Sequence, residues 1–580
     1  MPAPTLIQDA ESGLWWRFDA PLAVLSATRL EEVLPALHEV ERRVNAESLW
    51  AAGYIAYEAG PAFDPVLRAH PSGPLPLLYF GLYRAPRLEP LPPPHEAFRP
   101  NYRWTSSVAR NEYDAAIARI RHLIEAGETY QVNYTLRLRA PIEEPPRELF
   151  LRAVYANAPR HGAYLDCGRF VIGSASPEMF LRLDGEDLTS RPMKGTAARG
   201  LWLAQDEERA RALAASPKDR AENVMIVDMV RNDLGRVCAT GSVQVPELFT
   251  VERYPTVWQM TSTVRGRTSA AVTDILGALF PPASITGTPK ARATQIIAGL
   301  ETAPRGIYTG CIGVIAPGRR ARFNVAIRTA CFDLAERVLE YGVGGGIVWD
   351  STSDAEYEEC LLKARIVTDA PPPFALLETL LWEPGEGYFL LEEHLERLAQ
   401  SARYFGMTAD PGAVRSRLSH LAAGFGPSAQ RVRVRVTVDR NGAVECAAEP
   451  LAASAAPVRL GIAAAPIATD SPFLFHKTTY RAVYDDARQS CPGCDDVVLW
   501  NPCREVTEST IANIVIELGG ERVTPPVECG LLPGVFRARL LATGQLRERR
   551  ITLDELRAAR RVWLINSVRR WRDAVVTDAA

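Results

Sequence analysis

Charge of one sign is what this sequence most plainly lacks. Its 66 lysines and arginines nearly cancel 69 aspartates and glutamates over 580 residues. No net field is left to attract nucleic acid or an anionic membrane, and neither partner is expected. Long apolar runs are missing too. The alanine-rich stretch from Ala447 to Ala468 is interrupted by Glu449, Pro450, Pro457 and Arg459, which excludes a membrane-spanning helix there. Met1 to Asp19 shows no basic-then-apolar order of a signal peptide, so the expected compartment is the cytoplasm. Ten cysteines are too few for a dense disulfide framework in a chain of this size. Cys491 and Cys494 form a C-x-x-C with Cys503 nearby, but no second pair or histidine follows at metal-site spacing.

What is present is ordinary globular composition, 47% apolar and 23% charged, in a chain too long for one core. Pro86 to Pro100 reads as an extended crossing and Ala370 to Phe374 as a domain boundary. Asn111 to Ala126 carries Tyr113, Ile117, Ile120 and Ile124 at helical spacing, with Gly127 as its stop. Tyr130 to Arg139 then alternates, predicting a strand with Gln131, Asn133, Thr135 and Arg137 on one polar side. Val432 to Val436 alternates again. Both halves read as α+β.

The first half gathers groups that make chemistry. Lys194 lies between Pro192 and Gly195 in Arg191-Pro192-Met193-Lys194-Gly195-Thr196, and a desolvated lysine is a nucleophile. Asp219/Glu222 and Glu356/Glu359 are each three apart, so each pair shares a helical face. Two such faces offer oxygen ligands to a hard cation, most plausibly Mg²⁺; two solvated helix faces are the plain alternative. Gly342 to Gly346 is a flexible glycine segment, and Arg328 lies in an apolar strand. Glycine amides and an arginine suit a bound carboxylate, with Lys290 and Arg292 adding positive charge after Thr286 to Pro289.

These residues resemble the chorismate-utilising enzymes. Gly173 to Glu178, Arg191 to Thr196, Arg220 to Asn223 running into Val227 to Gly235, and Gly344 to Gly346 with Glu356 to Lys363 occur in that family's order over about residues 50–370. The resemblance implies a large chorismate-binding domain over 1–370, with its core at about 100–370, and Mg²⁺ bridging the enzyme and a substrate carboxylate. Glu222 and Glu359 match metal ligands, with Asp219 and Glu356 in support. Gln131, Thr286, Arg328, Gly344, Gly345 and Lys363 fall among the substrate-binding positions. Anthranilate synthases resemble one another in having alanine at position 194, and the water-adding members carry a lysine base at position 131. Lys194 with Gln131 looks like the 4-aminating branch. By that resemblance Lys194 attacks the ring, Glu178 protonates the departing C4 hydroxyl, and ammonia then displaces the lysine. Gln259 stands where many relatives have histidine, so its role is open, and hydrogen bonding to substrate is one use of its amide.

After the triple proline, Leu391 to Leu398 reads as a charged amphipathic helix with His394 on its surface. His476 to Tyr480, Glu505 to Asn513 and Gly530 to Arg537 then follow. A lysine, a carboxylate and a glycine-led helix start are parts that suit pyridoxal 5'-phosphate. The ordered set resembles fold-type IV pyridoxal-phosphate enzymes over 374–580, implying a two-lobed domain. Lys477 matches the cofactor-linking lysine and Glu508 the partner of the pyridine nitrogen. Arg397, Val535, Phe536 and Ser567 match the phosphate cradle.

Motifs alone leave lyase and transaminase open; adjacency to an aminating half favours elimination of pyruvate to give 4-aminobenzoate. No cysteine lies in a Gly-x-Cys-x-Gly turn, so ammonia is expected from a separate glutamine amidotransferase. The C-terminal domain is a possible homodimer surface. Two other readings stand: an anthranilate-type enzyme joined to a true aminotransferase, and a non-catalytic chorismate-binding subunit.

Overall fold

A computed structural model describes residues 3–95, 102–368, 372–426, 430–452 and 456–577. Positions 96–100 of the expected proline-rich crossing, and 370 and 371 of the expected boundary, lie outside those residues. The chain divides into two compact units. One comprises Met1–Ala198 with Ala210–Pro372; the other comprises Arg199–Arg209 with Pro373–Ala580.

The first unit holds two ten-stranded sheets among the described residues, and every strand pair in them is antiparallel. In one, the strand Gln131–Pro141 pairs along its length with Val338–Ile347, so that Gly344 faces Thr135 and Gly346 faces Asn133. The glycine segment is therefore a strand rather than a flexible loop. Its lack of side chains answers crowding: a Cβ on Gly346 would lie 2.2 Å from Lys194 Nζ and 2.7 Å from Gln131 Nε2. In the other sheet, Met193–Ala198 pairs with Val257–Arg267 and carries Lys194.

The helix expected near Asn111 spans Arg110–Glu125 and buries Tyr113, Ile117 and Ile120. The strand Gln131–Pro141 departs from expectation. Its polar side faces inward, with Gln131, Asn133, Thr135 and Arg137 all buried. The cost is met by a sealed network: Arg137 Nη2 donates to Glu301 Oε2 at 3.0 Å, Thr135 Oγ1 to Glu301 Oε1 at 2.7 Å, and Arg305 Nη2 to Glu301 Oε1 at 2.7 Å. Arg305 also donates to the Asn133 and Ile285 carbonyls. A buried ion network tolerates the loss of no member, and this one ties the strand to the loop before the helix Lys290–Leu300.

Among its described residues the second unit contains a four-stranded antiparallel sheet and an eight-stranded mixed sheet. Val432–Val438 alternates buried and exposed residues as the pattern predicts. The helix Leu391–Phe405 packs its apolar face on the small sheet. No helix among the described residues is long and apolar enough to cross a membrane.

Two candidate active sites

The first unit encloses a cavity of about 450 Å³ whose wall includes Lys194, Glu178, Glu222, Glu359, Arg328 and Gly344 to Gly346. Lys194 is held on its strand by neighbours rather than by its own polarity. Gly195 has φ +97, where a side chain is strained, and its carbonyl accepts from Gln259 Nε2 at 2.9 Å. Thr196 Oγ1 donates to Gln259 Oε1 at 3.0 Å. Both ends of the Gln259 amide thus brace the irregular stretch of strand after Lys194. Asn223 Nδ2 adds a bond to the Lys194 carbonyl at 3.1 Å.

Glu178 is 3% exposed. Burial pushes its carboxyl up to about 7, against donors from Ser284 and the Met193 backbone and the charge of Lys194. Near neutral pH it holds a proton that it can give away. Ser284 was not visible as a partner in the sequence, because only the fold brings its turn to Glu178.

The two carboxylate pairs ride on the helices Pro217–Gly235 and Ser353–Thr368. Burial, then the charges of Asp219 and Glu359, outweighs Lys194 and Lys218 and raises the Glu222 pKa; Lys194 Nζ lies 3.9 Å away. Burial raises Glu359, but Lys363 at 2.7 Å outweighs it and lowers the carboxyl. Burial also raises Glu356, which accepts a bond from Ser351 Oγ at 2.7 Å. Among the described residues no three such side chains are already gathered around one point. Glu222 and Glu359 line the same cavity, and Glu222 feels the charge of Glu359; such a pair fits a hard cation that completes its shell with water and a substrate oxygen.

Polar atoms without partners mark where a ligand belongs. Gln131 is fully buried, yet neither Oε1 nor Nε2 has a hydrogen-bond partner. Arg328 has φ 50, and its Nη1 is sealed and unpartnered. The Arg328 cost is recovered if an anionic ligand enters the cavity it lines, whereas Gln131 is not part of that wall and comes near it only beside Gly346 and Lys194. Lys363 Nζ donates to the Gly344 carbonyl at 2.7 Å and steadies the glycine strand. Three expected groups stand elsewhere. Thr286 spends its hydroxyl on the Pro282 carbonyl while Ser284 and Ile285 reach the wall. Lys290 pairs with Asp233 at 2.7 Å, and Arg292 pairs with Glu128.

The second unit has its own cavity of about 450 Å³, with Lys477, Glu508, Arg397, Val535 and Ser567 in its wall. Desolvation, then Arg397, lowers the Lys477 amine to about 8 against the pull of Glu378 and Glu508. Roughly a fifth of it is neutral near pH 7.4, far more than for an ordinary lysine. Burial raises Glu508 to about 7; it accepts from Tyr484 Oη at 2.8 Å and the Leu532 N–H at 3.1 Å. Arg397 grips both oxygens of Glu378, Nε to Oε1 at 2.9 Å and Nη2 to Oε2 at 2.6 Å. Burial raises Glu378, but Arg397 and His394 outweigh it and hold it at about 2.

His394 corrects the surface reading. It is 2% exposed, with Nδ1 on Glu378 Oε2 at 2.7 Å. Glu378 carried a signal, a single carboxylate in the apolar run Leu376 to Leu381, whereas Tyr484 carried none. The helix Val535–Ala542 opens toward the same wall, and Phe536 turns its ring to Phe389 and Trp571. Helix-terminal amides, Arg397 and Ser567 on this wall could hold a phosphate. Lys477, with its lowered pKa, and Glu508 line the same cavity, so the residues fit pyridoxal phosphate. The three cysteines of the 491–503 segment are free thiols, Cys503 exposed and Cys491 buried.

Residues 4–369 match the model of the chorismate binding enzyme family, and residues 375–575 match that of class IV amino-transferases. The chain belongs to the chorismate binding enzymes. It carries a class IV aminotransferase-like domain after that fold. It is 40% identical over 275 residues to aminodeoxychorismate synthase component 1 of Salmonella typhimurium, which covers 47% of this chain and 60% of that protein. It is 38% identical over 271 residues to anthranilate synthase component 1 of Streptomyces coelicolor, covering 46% and 52%. The chain thus spans about half the length of the curated relatives it matches. Anthranilate synthase component I from Streptococcus pneumoniae superposes with a TM-score of 0.52 at 23% identity, over 63% of this chain and 90% of that one. That likeness speaks for the fold.

Proposed function

We propose that the chain makes 4-aminobenzoate in two steps. Chorismate and ammonia give 4-amino-4-deoxychorismate and water in the first unit, and the second unit eliminates pyruvate from that intermediate. What carries the reading is the pairing of Lys194 with a protonated Glu178 on one cavity wall. The relatives include both 4-aminating and 2-aminating proteins at similar identity. Lys194 therefore decides between them, because the 2-aminating pattern has no nucleophile there.

In the first step Lys194 Nζ attacks the ring as Glu178 passes its proton to the departing C4 hydroxyl, which leaves as water. Ammonia then bonds to C4 and releases the lysine. Arg328 and the glycine strand bind the substrate's carboxylates. Glu222 and Glu359 would hold Mg²⁺, which neutralises a carboxylate of the substrate. We place the ammonia source in a separate glutamine amidotransferase.

In the second unit, bound pyridoxal phosphate would supply an electron-withdrawing carbonyl carbon for the substrate amine. Arg397 and the amides at Val535 and Phe536 would hold its phosphate, and Glu508 would partner its ring nitrogen. Lys477 Nζ, once free, takes the proton from the ring carbon bearing the amine, and the enol-ether oxygen leaves with pyruvate. Lyase rather than branched-chain transaminase chemistry is favoured by the cavity wall. It carries Arg433, Arg435, Arg481, Arg488, Arg569 and Arg572 against Asp485 and Glu508, beside an apolar part that includes Leu377, Ile511 and Leu564. The excess of guanidinium groups favours a substrate with two carboxylates over one with a single carboxylate.

Three measurements bear on these roles. Arg328→Met should raise the KM for chorismate about 10- to 100-fold with a smaller change in kcat, the scale of a lost charged hydrogen bond. Glu222→Gln should shift the Mg²⁺ needed for half-maximal chorismate consumption upward by tenfold or more, and an unchanged requirement speaks against the ligand assignment. The apo chain should take up pyridoxal phosphate faster as pH rises, levelling above about 8 where the Lys477 amine is neutral.

A further inference from the structure

The segment Arg199–Arg209 is out of place by sequence. It follows directly on the strand Met193–Ala198 that carries Lys194, and the helix with Glu222 comes soon after it. Its contacts nevertheless make it part of the second unit. Arg199 closes a buried clamp with Asp206, Nε to Oδ1 and Nη2 to Oδ2, both at 2.7 Å. The same Nη2 donates to the Tyr404 carbonyl at 2.7 Å, and the guanidinium lies 4.5 Å over the Tyr404 ring. Tyr404 Oη returns a bond to the Gly200 carbonyl at 2.7 Å. Trp202 packs on Phe475 with ring centroids 5.3 Å apart, and Leu201 joins it against the core of Leu474, Phe475 and Leu499.

These contacts converge on the backbone that leads into Lys477. Phe475 is a direct partner of Trp202. His476 is stacked on Tyr404 at 4.2 Å, and Ser401 Oγ lies 3.0 Å from its Nδ1. Desolvation in this pocket lowers His476 to about 3, so its ring sits there neutral. A desolvated clamp and a large aromatic contact are costly to build for an idle surface loop. Neither touches Lys477, Glu508 or Arg397, so the segment acts through position.

We propose that Arg199–Arg209 completes the cofactor unit, seating Phe475 and His476 so that Lys477 meets pyridoxal phosphate in register. The surface formed by Tyr404, Phe475 and Leu474 is thus a docking site, within the second unit, whose occupant is this chain's own segment Arg199–Arg209. The pyridoxal phosphate domain cut out at residue 373 would lack it. The inference rests on the reading of Lys477 as the cofactor lysine.

The test is made on the full chain. Trp202→Ala combined with Asp206→Asn should weaken pyridoxal phosphate binding at least tenfold and move the pH midpoint of the bound cofactor's visible absorbance. Hydrogen exchange over 472–480 should quicken, while chorismate consumption with ammonium stays within twofold. In the wild-type chain, adding pyridoxal phosphate should slow exchange in 199–209, which needs no variant to fold. Cofactor affinity, absorbance midpoint and 472–480 exchange all within twofold of wild type would overturn the proposal. Equal losses of both activities with a lower Tm would also overturn it, as would 199–209 exchange that ignores the cofactor. A wild-type chain that binds no pyridoxal phosphate would instead overturn the assignment of Lys477.

Discussion

Lys477→Ala is expected to abolish 4-aminobenzoate formation while 4-amino-4-deoxychorismate accumulates at close to the wild-type rate. The variant should also lose the visible absorbance of a covalently held cofactor. In the proposed reaction Lys477 combines two tasks that no neighbour can assume. Desolvation and Arg397 keep its amine near pKa 8, neutral enough to bond a carbonyl carbon, and Glu508 in the same cavity cannot replace it as a nucleophile. Losing a nucleophile that is also the proton carrier removes both functions together, so the drop should reach at least about 10³-fold. Chromatography of the reaction at fixed times separates the outcomes. A variant that still makes 4-aminobenzoate contradicts the role.

Glu178→Gln should slow chorismate consumption by about 10²- to 10⁴-fold, the span expected of a general acid. In the wild-type enzyme the same step should weaken about tenfold per pH unit above about 7, where the buried carboxyl gives up its proton. The substitution also has a sign in stability. The Glu178 pKa is raised from 4.5 to about 7 on folding. Its protonated form therefore contributes stability that is complete below about 4.5 and lost as pH rises through 7. Glutamine has no such dependence. The variant should gain on the wild type between those pH values, by roughly 3 kcal/mol in all, and stay level above. Urea midpoints at pH 4.5, 6 and 8 check it, and a gap that does not widen argues against a protonated Glu178.

How much of this was legible in the chain depends on the range of the information. Helical and strand periods are local, so the helix at Arg110–Glu125 and the strand at Val432–Val438 could be read directly. The carboxylate pairs three apart gave the faces of two helices. Burial of a polar side is not local. Gln131 to Arg137 alternates like a solvated strand, and only Glu301 and Arg305, more than 160 positions away, turn that side inward. His394 failed for the same reason: its helix is densely charged, and Glu378 on a separate strand draws it under. Gln259 had no readable role until its register with Gly195 and Thr196 was known. The excursion of Arg199–Arg209 into the second unit left no compositional trace at all, since its two anchors, Tyr404 and Phe475, lie about 200 and 270 residues downstream.

Chorismate, ammonium, Mg²⁺ and pyridoxal phosphate supplied together to the purified chain test the central claim most directly, with the aromatic product identified by mass and chromatography. The account predicts 4-aminobenzoate with one pyruvate per ring, and glutamine failing to replace ammonium. A product of 2-aminobenzoate, or amino-group exchange with a keto acid and no pyruvate released, would contradict it.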